Sequence, residues 1–516
     1  MNRFKRNIIS IKNPLFLLII LFGLSINIKA QKKTQIQLLG STNLYGTKID
    51  GREVQKLIGN ARFKHQDALM FCDSAYFYLK SNTIDAFGHV RINQGDTLNL
   101  YGDKLFYDGN TKVAKITGNE VKLDNPNFLL ITDQLVFDRK NNTADYYNSA
   151  VITSKNDSNI LVSKIGHYFT NSQLFTFRKD VVLTNPSFVM ESDTLKYFSN
   201  TEMVNFLGPT IITGDSNLIY CENGWYDTKL DQSRYYQNAY IITDGKKIQG
   251  DSLYYDRMMG FGKAEGNMSI IDTAQNIIIS GQYGEVFEKK DSAVVSQTPT
   301  LTQIIDGDSL FMHADTFKVY RDKNDNRFLF AYHGVKIFKS DLQGKCDSIA
   351  YSLSDSTIQL YDDPVLWSDS NQLTAIRIDL RMANNKINSI FLDKDAFIIS
   401  EVDSVKFNQI KGKEMTGFFR DSKLNLIQVR GNGETTYYGQ DESEKFIGVN
   451  VAESSDIDIS LGEDGIKSIS FINKPKAGMY PVGEKDPVSE LRYKGFKWLI
   501  EQRPRRKEDI YLKTSN

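Results

Sequence analysis

The side chains best suited to chemistry in this chain are acidic residues that recur about every thirty positions. Small, apolar or aromatic residues follow each acid two and four positions later, as in Asp73-Ala75-Phe77, Asp103-Leu105-Tyr107, Asp133-Leu135-Phe137, Asp193-Leu195-Tyr197, Glu222-Gly224-Tyr226, Asp251-Leu253-Tyr255, Asp315-Phe317-Val319 and Asp347-Ile349-Tyr351. A catalytic carboxylate pair, as in glycoside hydrolysis, occurs once in an enzyme. We therefore predict that each acid lies where a strand begins or bends and accepts backbone hydrogen bonds. A surface ladder of carboxylates that binds cations is the alternative.

The histidines and cysteines give no sign of a reactive centre. The five histidines lack the spacing of a zinc-binding pair, which predicts neither a metal site nor a cofactor. Cys72, Cys221 and Cys346 each directly precede a repeated acid. This placement predicts equivalent strand positions in separate repeats rather than a disulfide framework. We conclude from the sequence that the protein is not an enzyme.

The elements that position these residues read as strands. A second pattern, a small or turn residue followed by alternating apolar positions, occurs between the acids, for example at Gly88–Ile92, Asn119–Leu123 and Gly334–Ile337. Alternation with period two is the signature of a strand. Turn-forming pairs such as Gly109-Asn110 and Asn125-Pro126 separate the strands. The unit is therefore strand, turn, strand, turn, repeated about eleven times.

A repeat of this size predicts an all-β, elongated array whose units stack on one another. Each strand has one apolar face, which two facing sheets bury as a sandwich or as an open jelly roll. Sheets that close tightly make this face a core, and sheets that splay apart make it a groove suited to acyl chains. The inward face is predicted to carry Val90, Ile92, Leu105, Tyr107, Val121, Leu123, Leu135, Phe137, Val181, Leu183, Leu195, Tyr197, Ile211, Leu253, Tyr255, Val335 and Ile337.

The amino terminus predicts export. Residues 1–30 read as a signal peptide with a basic start, an apolar core at Leu15–Leu24 and a cleavage point after Ala30. An uncleaved anchor is the alternative. The chain after residue 30 has 58 basic and 63 acidic residues, which argues against nucleic-acid binding. We predict repeats over 31–200 and 201–472, followed by a tail over 473–516.

The tail differs in composition from the repeats because it combines proline, basic and aromatic residues. Such a segment suits either a cap on the last repeat or docking to a membrane or a protein partner. The candidate docking residues are Arg492, Lys497, Trp498, Arg505 and Arg506.

The repeat resembles that of the OstA-like (organic solvent tolerance) family, the LptA-type periplasmic bridges of lipopolysaccharide transport. The segments Leu57–Asp67 (LIGNARFKHQD) and Met70–Tyr76 (MFCDSAY) are similar to the start of the amino-terminal domain in long Bacteroidetes members. The likeness extends over roughly residues 35–470. It implies a β-jelly-roll of two V-shaped antiparallel sheets, stacked end to end, that holds the acyl chains of lipid A.

The resemblance implies a periplasmic protein of a Gram-negative bacterium, associated with the outer membrane. Its expected partners are lipopolysaccharide, the transport components at the inner and outer membranes, and further copies of itself joined end to end. The implied groove residues are the first twelve of the inward set, from Val90 to Tyr197. Two other functions stay open at this point: an exported structural or adhesive β fibre, and a carbohydrate-active β-solenoid enzyme.

Overall fold

A computed structural model describes residues 34–95, 98–305, 307–384, 386–420, 423–441, 445–462, 465–481 and 492–512. The predicted signal peptide lies outside these residues. Contacts divide the chain into two units, Met1–Asn142 and Thr143–Asn516. The described residues are almost all in antiparallel strands, which confirms the predicted all-β jelly roll. None of their helices has the length and apolar character needed to cross a bilayer.

The first unit is a meander in which β3 to β8 each pair with the next strand. The strands β1 and β2 pair with opposite halves of β3. The bounds are β1 Gln37–Gly40, β2 Asn43–Ile49, β3 Arg52–His65, β4 Ala68–Tyr78, β5 Thr83–Gln94, β6 Leu98–Asp108, β7 Val113–Asp124 and β8 Phe128–Asp138.

The second unit continues the same antiparallel pattern, with some strands split into two short pieces. Its strands are β9 Thr143–Tyr146, β10 Ala150–Ser154, β11 Ile160–Ser163, β12 Ile165–Phe169, β13 Leu174–Asn185, β14 Phe188–Phe198, β15 Met203–Gly214, β16 Asn217–Asp227, β17 Gln232–Thr243, β18 Lys246–Asp256, β19 Phe261–Asp272, β20 Ile277–Phe287, β21 Ser292–Ser296, β22 Thr300–Ile305, β23 Asp308–His313, β24 Thr316–Arg321, β25 Arg327–Phe338, β26 Gln343–Ser352, β27 Thr357–Tyr361, β28 Val365–Ser368, β29 Asn371–Thr374, β30 Arg377–Ala383, β31 Lys386–Glu401, β32 Phe407–Arg420, β33 Lys423–Gln440, β34 Phe446–Gly462, β35 Gly465–Ile472 and β36 Lys476–Tyr480. Three 3₁₀ helices lie at Glu288–Lys290, Ile500–Gln502 and Lys507–Tyr511.

A bulge in the middle of the long strands bends each of them into two halves. Between β5 and β6 the register runs to Phe87 opposite Lys104 and resumes at Val90 opposite Gly102. The extra residues Gly88 and His89 both have positive φ, 76° and 39°. Glycine adopts this conformation freely, whereas other residues adopt it rarely. The small or turn residues that the sequence places before the alternating segments, such as Gly88, Asp180 and Gly334, therefore lie at bends within strands rather than between them.

The bend folds each sheet over itself. We call layer A the half that contains Phe63, Met70 and Ile92, and layer B the half that contains Phe77. The strand partner of Phe63 is Met70 and that of Phe77 is Gln55, so the two phenylalanines lie far apart along their strands. Their ring centroids are nevertheless 5.6 Å apart. The inner faces of the two layers therefore pack on each other. We call the line of bends that joins the two layers the spine, and the line of hairpin turns at their free edges the rim.

The tail residues 492–512, which we call the strap, lie on the outer face of layer A in the second unit. The adjacent residues Gln372 and Leu373 point to opposite faces, yet both are buried, at 0% and 7% exposure. The Gln372 side chain donates to the carbonyl of Lys497 at 2.6 Å and accepts from the amide of Leu499 at 2.7 Å. The strap thus gives this layer a second covered face.

Candidate functional site

In the first unit, the predicted inward residues form a closed core. The row across layer A is Phe63, Met70, Ile92, Leu100, Leu123 and Leu130, in register on successive strands. All six are 0–3% exposed. The residues of layer B that face this row are equally buried, namely Leu105, Tyr107, Ile116, Leu135 and Phe137. Large side chains on both layers therefore fill the interior of this unit.

A polar cluster joins the two layers at the rim of the first unit. Arg139, on the layer B side, donates to the carbonyl of His65 at 3.2 Å, to the Tyr107 hydroxyl at 3.0 Å and to the Asp67 carboxylate at 2.5 Å. The His65 ring bonds to the Tyr107 hydroxyl at 2.6 Å and to the Thr34 hydroxyl at 2.7 Å. We call this cluster the latch. It ties the edge of layer A to the edge of layer B.

Burial governs the titration of the latch. His65 has no exposed surface, and desolvation lowers its pKa, assisted by the positive charges of Arg139 and Lys112. Desolvation likewise raises the pKa of the Tyr107 hydroxyl. Both rings are therefore held neutral near pH 7, which suits their role as hydrogen-bonded closures.

In the second unit, the same inner row loses its cover between β13 and β20. The layer A row is one large aliphatic residue per strand, each in register with the next: Leu183, Met190, Ile212, Ile219, Ile241, Ile248, Ile270 and Ile279. Ile219, Ile241, Ile248 and Ile270 are half-buried, unlike their counterparts in the first unit. We call this stretch the open groove.

The facing layer B of the open groove is lined by small residues and tyrosines. Gly224, Ser233, Gly262, Ala264 and Gly284 occupy inward positions where the first unit has many larger residues. They are buried among larger side chains, because a Cβ added at Gly224, Gly262 or Gly284 would lie 3.0 Å or less from Phe206, Val286 or Met268.

The tyrosines of layer B stand near the mouth of the groove. Tyr197, Tyr226 and Tyr255 are half-buried there. Tyr226 donates to Asp231 at 2.8 Å, and Tyr255 donates to Glu288 at 2.9 Å. Desolvation and the neighbouring carboxylate raise the pKa of Tyr226, and for the same reasons that of Tyr255 rises to about 12. The groove therefore has an aliphatic layer, an opposite layer that combines small residues with large ones such as Phe206 and Leu253, and neutral phenols at its edge.

The predicted groove residues divide between these two regions. Val90, Ile92, Leu105, Tyr107, Val121, Leu123, Leu135 and Phe137 point inward in the closed unit, and Val181 and Leu195 are also buried, at 1%. Leu183 and Tyr197 are half-buried at the start of the open groove. Their binding of lipid stays a prediction. Sequence reasoning missed Ile219, Ile241, Ile248 and Ile270, although the same alternation marks them.

One predicted inward residue is wrong. Ile211 is 38% exposed, whereas its neighbour Ile212 is 8% exposed and points inward. Two successive isoleucines fit either phase of an alternating pattern, and the bulge between Leu207 and Thr210 sets which one faces the interior.

The repeated acids lie at the spine and stabilise the bends. Asp103 accepts a hydrogen bond from the backbone amide of Asn119 at 3.0 Å. Across other bends, Asp73 pairs with His89 at 2.7 Å and Asp251 accepts from the Asn267 side chain at 3.0 Å. The acids thus lie at bends, as predicted, but of these three hydrogen bonds the one accepted by Asp103 is of the predicted backbone type. Within the described residues, no three His, Cys, Asp or Glu side chains are grouped closely enough to hold a metal ion.

The candidate docking residues of the tail all lie in the strap. The Arg492 guanidinium stacks on Phe407 and Phe496 at 4.8 and 4.7 Å from the ring centroids. Trp498 packs edge-on against Phe407 at 5.3 Å, and the backbone amides of Arg505 and Arg506 donate to Asp509. The contacts of Arg492 and Trp498 with Phe407 anchor the strap to its own unit, whereas the bonds to Asp509 lie within the strap. Docking to a partner stays a prediction.

Comparisons with known proteins agree with the repeat. Residues 33–193 match the family described as OstA-like protein. A solved structure, the LptA-homologous periplasmic component LptH of the lipopolysaccharide transport device from Pseudomonas aeruginosa, aligns at 16% identity over 23% of this chain and 84% of that chain, with a TM-score of 0.20. No curated protein matches the chain. Over residues 33–193 the chain is therefore similar to the OstA-like family, which agrees with the resemblance over that part of the sequence.

Proposed function

We propose that the protein is a non-enzymatic periplasmic bridge that holds the acyl part of lipopolysaccharide in the open groove and passes it toward the outer membrane. The observation that carries this proposal is a set of half-exposed aliphatic side chains in the layer A row, namely Leu183, Ile219, Ile241, Ile248 and Ile270. Apolar surface left open along the inside of a folded-over sheet is costly in water, and a lipid chain is the ligand that covers it.

The dimensions of the groove suit extended acyl chains. Its layer A row crosses eight strands, β13 to β20, which spans about 35 Å at roughly 4.8 Å per strand. Each strand adds one aliphatic side chain to the row. Met190, Ile212 and Ile279 are buried, at 1%, 8% and 8% exposure, and the accessible stretch of the row runs from Ile219 to Ile270. Such a surface binds apolar chains and recognises no single chemical group. Transport of an amphiphile along a bridge requires this kind of binding.

The test is photocrosslinking in the full chain with a probe at Ile248, in the layer A row of the open groove. Lys247 is the matched control, because it precedes Ile248 and faces outward, with its ammonium 4.6 Å from the Tyr240 ring centroid. A probe at Leu123 reports on the closed unit. We expect lipopolysaccharide adducts at Ile248 and none at Lys247. Equal labelling at the two positions, or no labelling of a folded protein, contradicts the proposal.

A further inference from the structure

The hairpin turns at the mouth of the open groove differ in character from those of the first unit. Four-residue turns recur along the layer B rim of both units. In the first unit, the second and third residues of these turns are polar, namely Lys80, Ser81, Asn110, Thr111, Lys140 and Asn141. Along the open groove the corresponding positions include Leu230, Met258 and Met259, which are 51%, 66% and 66% exposed.

These apolar residues form one continuous edge. The amide of Arg257 donates to the carbonyl of Asp231 at 3.1 Å, and the amide of Glu288 donates to that of Gly260 at 2.9 Å. The turns 228–231, 257–260 and 288–291 are therefore neighbours, and we call them the lip. Large apolar side chains exposed side by side on a soluble surface mark an interaction site.

The charges of the lip favour an anionic lipid surface. The three turns carry four cations, Lys229, Arg257, Lys289 and Lys290, against three carboxylates, Asp231, Glu288 and Asp291, which leaves an excess of one positive charge. Asp291 also pairs with Arg321 at 2.8 Å. The cations Lys229, Lys289 and Lys290 lie in the same turns as the apolar residues or in the turn beside them. Apolar side chains flanked by lysines are typical of segments that insert into the boundary between headgroups and acyl chains.

We propose that the lip docks on an anionic lipid surface by inserting Leu230, Met258 and Met259, so that the mouth of the open groove faces the membrane from which lipid is taken. The uptake of lipid by the groove rests on the proposed function, whereas the binding of the lip to a lipid surface does not. Methionine suits this role because its flexible, polarisable side chain adapts to an irregular apolar environment. Tyr226 and Tyr255 lie next to the lip on the inner face, so a lipid drawn over the lip passes directly onto the groove.

The experiment compares the full chain with the triple variant Leu230→Asn, Met258→Asn and Met259→Asn, in co-sedimentation with vesicles of phosphatidylcholine containing phosphatidylglycerol. The control is Leu79→Asn, which removes an equally exposed leucine, at 54%, from a turn of the first unit. We expect the triple variant to lose vesicle binding by about tenfold or more, because each apolar side chain withdrawn from lipid weakens partition, and Leu79→Asn to bind as the unchanged chain does. Equal binding by the triple variant and the unchanged chain overturns the proposal, and so does equal loss in the control.

A second measurement separates this proposal from the function on which it rests. The Ile248 probe is used with lipopolysaccharide supplied either in vesicles or dispersed in detergent. We expect the triple variant to lose labelling from vesicles and to keep labelling from detergent. Absence of labelling from both sources in the unchanged chain contradicts the proposed groove, while the vesicle-binding result still decides the lip. Undiminished labelling of the triple variant from vesicles overturns the role of the lip.

Discussion

The closed first unit and the open groove of the second unit are built from the same repeat, yet only one of them fills its own interior. Both have one aliphatic side chain per strand along layer A. Opposite that row, layer B supplies Leu105, Tyr107 and Phe137 in the first unit, whereas in the groove Gly224, Gly262 and Gly284 stand beside larger residues such as Phe206 and Leu253. Closure of a folded-over sheet therefore depends on the volume of the facing side chains and on ties across the rim, rather than on the repeat.

The largest expected difference between the two regions is the loss of local stability when a large side chain of the layer A row is replaced by alanine. Leu123→Ala in the first unit should cost about 2–5 kcal/mol of local stability, because it leaves a cavity in a filled core. Ile248→Ala in the groove should cost clearly less, since Ile248 is already half-exposed. Hydrogen exchange of the amides in β7 and in β18 measures both variants. Equal loss of protection would show that the groove is as tightly packed as the first unit.

Removal of the latch should open the first unit toward the state of the groove. Arg139→Met deprives the His65 carbonyl and the Tyr107 hydroxyl of a donor, which should cost about 1–3 kcal/mol. The Asp67 contribution is small because its side chain is 64% exposed. We expect faster hydrogen exchange at the ends of β3 and β6 and new labelling by an apolar fluorescent dye. Arg257→Met, at the rim of the groove, is the control and should change neither.

The strap provides a third case, in which layer A is covered from outside. Gln372→Met removes two hydrogen bonds to the strap and should weaken its attachment by about 1–2 kcal/mol. Limited proteolysis at Lys497 and Arg503 reports the release of the strap. Gln359→Met, a substitution on a neighbouring strand away from these bonds, should leave the cleavage rate unchanged. If cleavage of the Gln372 variant is also unchanged, the amide contacts do not hold the strap.

The smallest expected effect is a pH dependence confined to the first unit. Burial lowers the pKa of His65 below 6.5, so the unfolded chain takes up a proton at a pH where the folded unit resists it. The contribution of His65 to stability is therefore complete above pH 6.5 and is lost as the pH falls toward the lowered value. The groove residues 181–287 contain no histidine. Exchange protection of β3 between pH 7.5 and 5.5 should fall in the unchanged chain and fall less in His65→Gln.

The exposed His89 provides a control for that measurement. The hydrogen bond that His89 donates to the Asp73 carboxylate raises the pKa of His89, so its effect on stability has the opposite sign and favours the folded unit at lower pH. His89→Gln should therefore leave the unit more sensitive to acid. The same response in both variants would mean that burial of His65 does not govern the pH dependence.

Much of the architecture follows from short-range patterns. The alternation at Val90 and Ile92 predicts a strand with one inward face, and both residues are buried there. Turn pairs such as Gly109-Asn110 lie at hairpins. Gly88 opens the alternating segment of its repeat, and it lies within β5 rather than at a strand end, because a double positive φ bends a strand without ending it. The spacing alone does not distinguish a bend from a turn.

The candidate site was less accessible to sequence reasoning. The pattern of residues near Ile219 and Ile248 matches that near Ile92 and Leu123, and nothing within a single strand shows which pair is covered. The cover comes from residues on the opposite layer, several strand positions away and across the bend. The placement of Ile211 failed for a related reason, since the bulge reset the phase of its strand.

The sequence by itself determined the all-β repeat, the faces of most strands and the acidic spine, because these depend on residues a few positions apart. Only the tertiary structure decided where the interior is closed, where it is open and where the strap lies. Those outcomes depend on contacts between distant residues, such as Arg139 with Asp67 and Gln372 with Lys497. The side chains that meet between two facing layers set the distance between those layers, and the residue pattern of a single strand does not predict that distance.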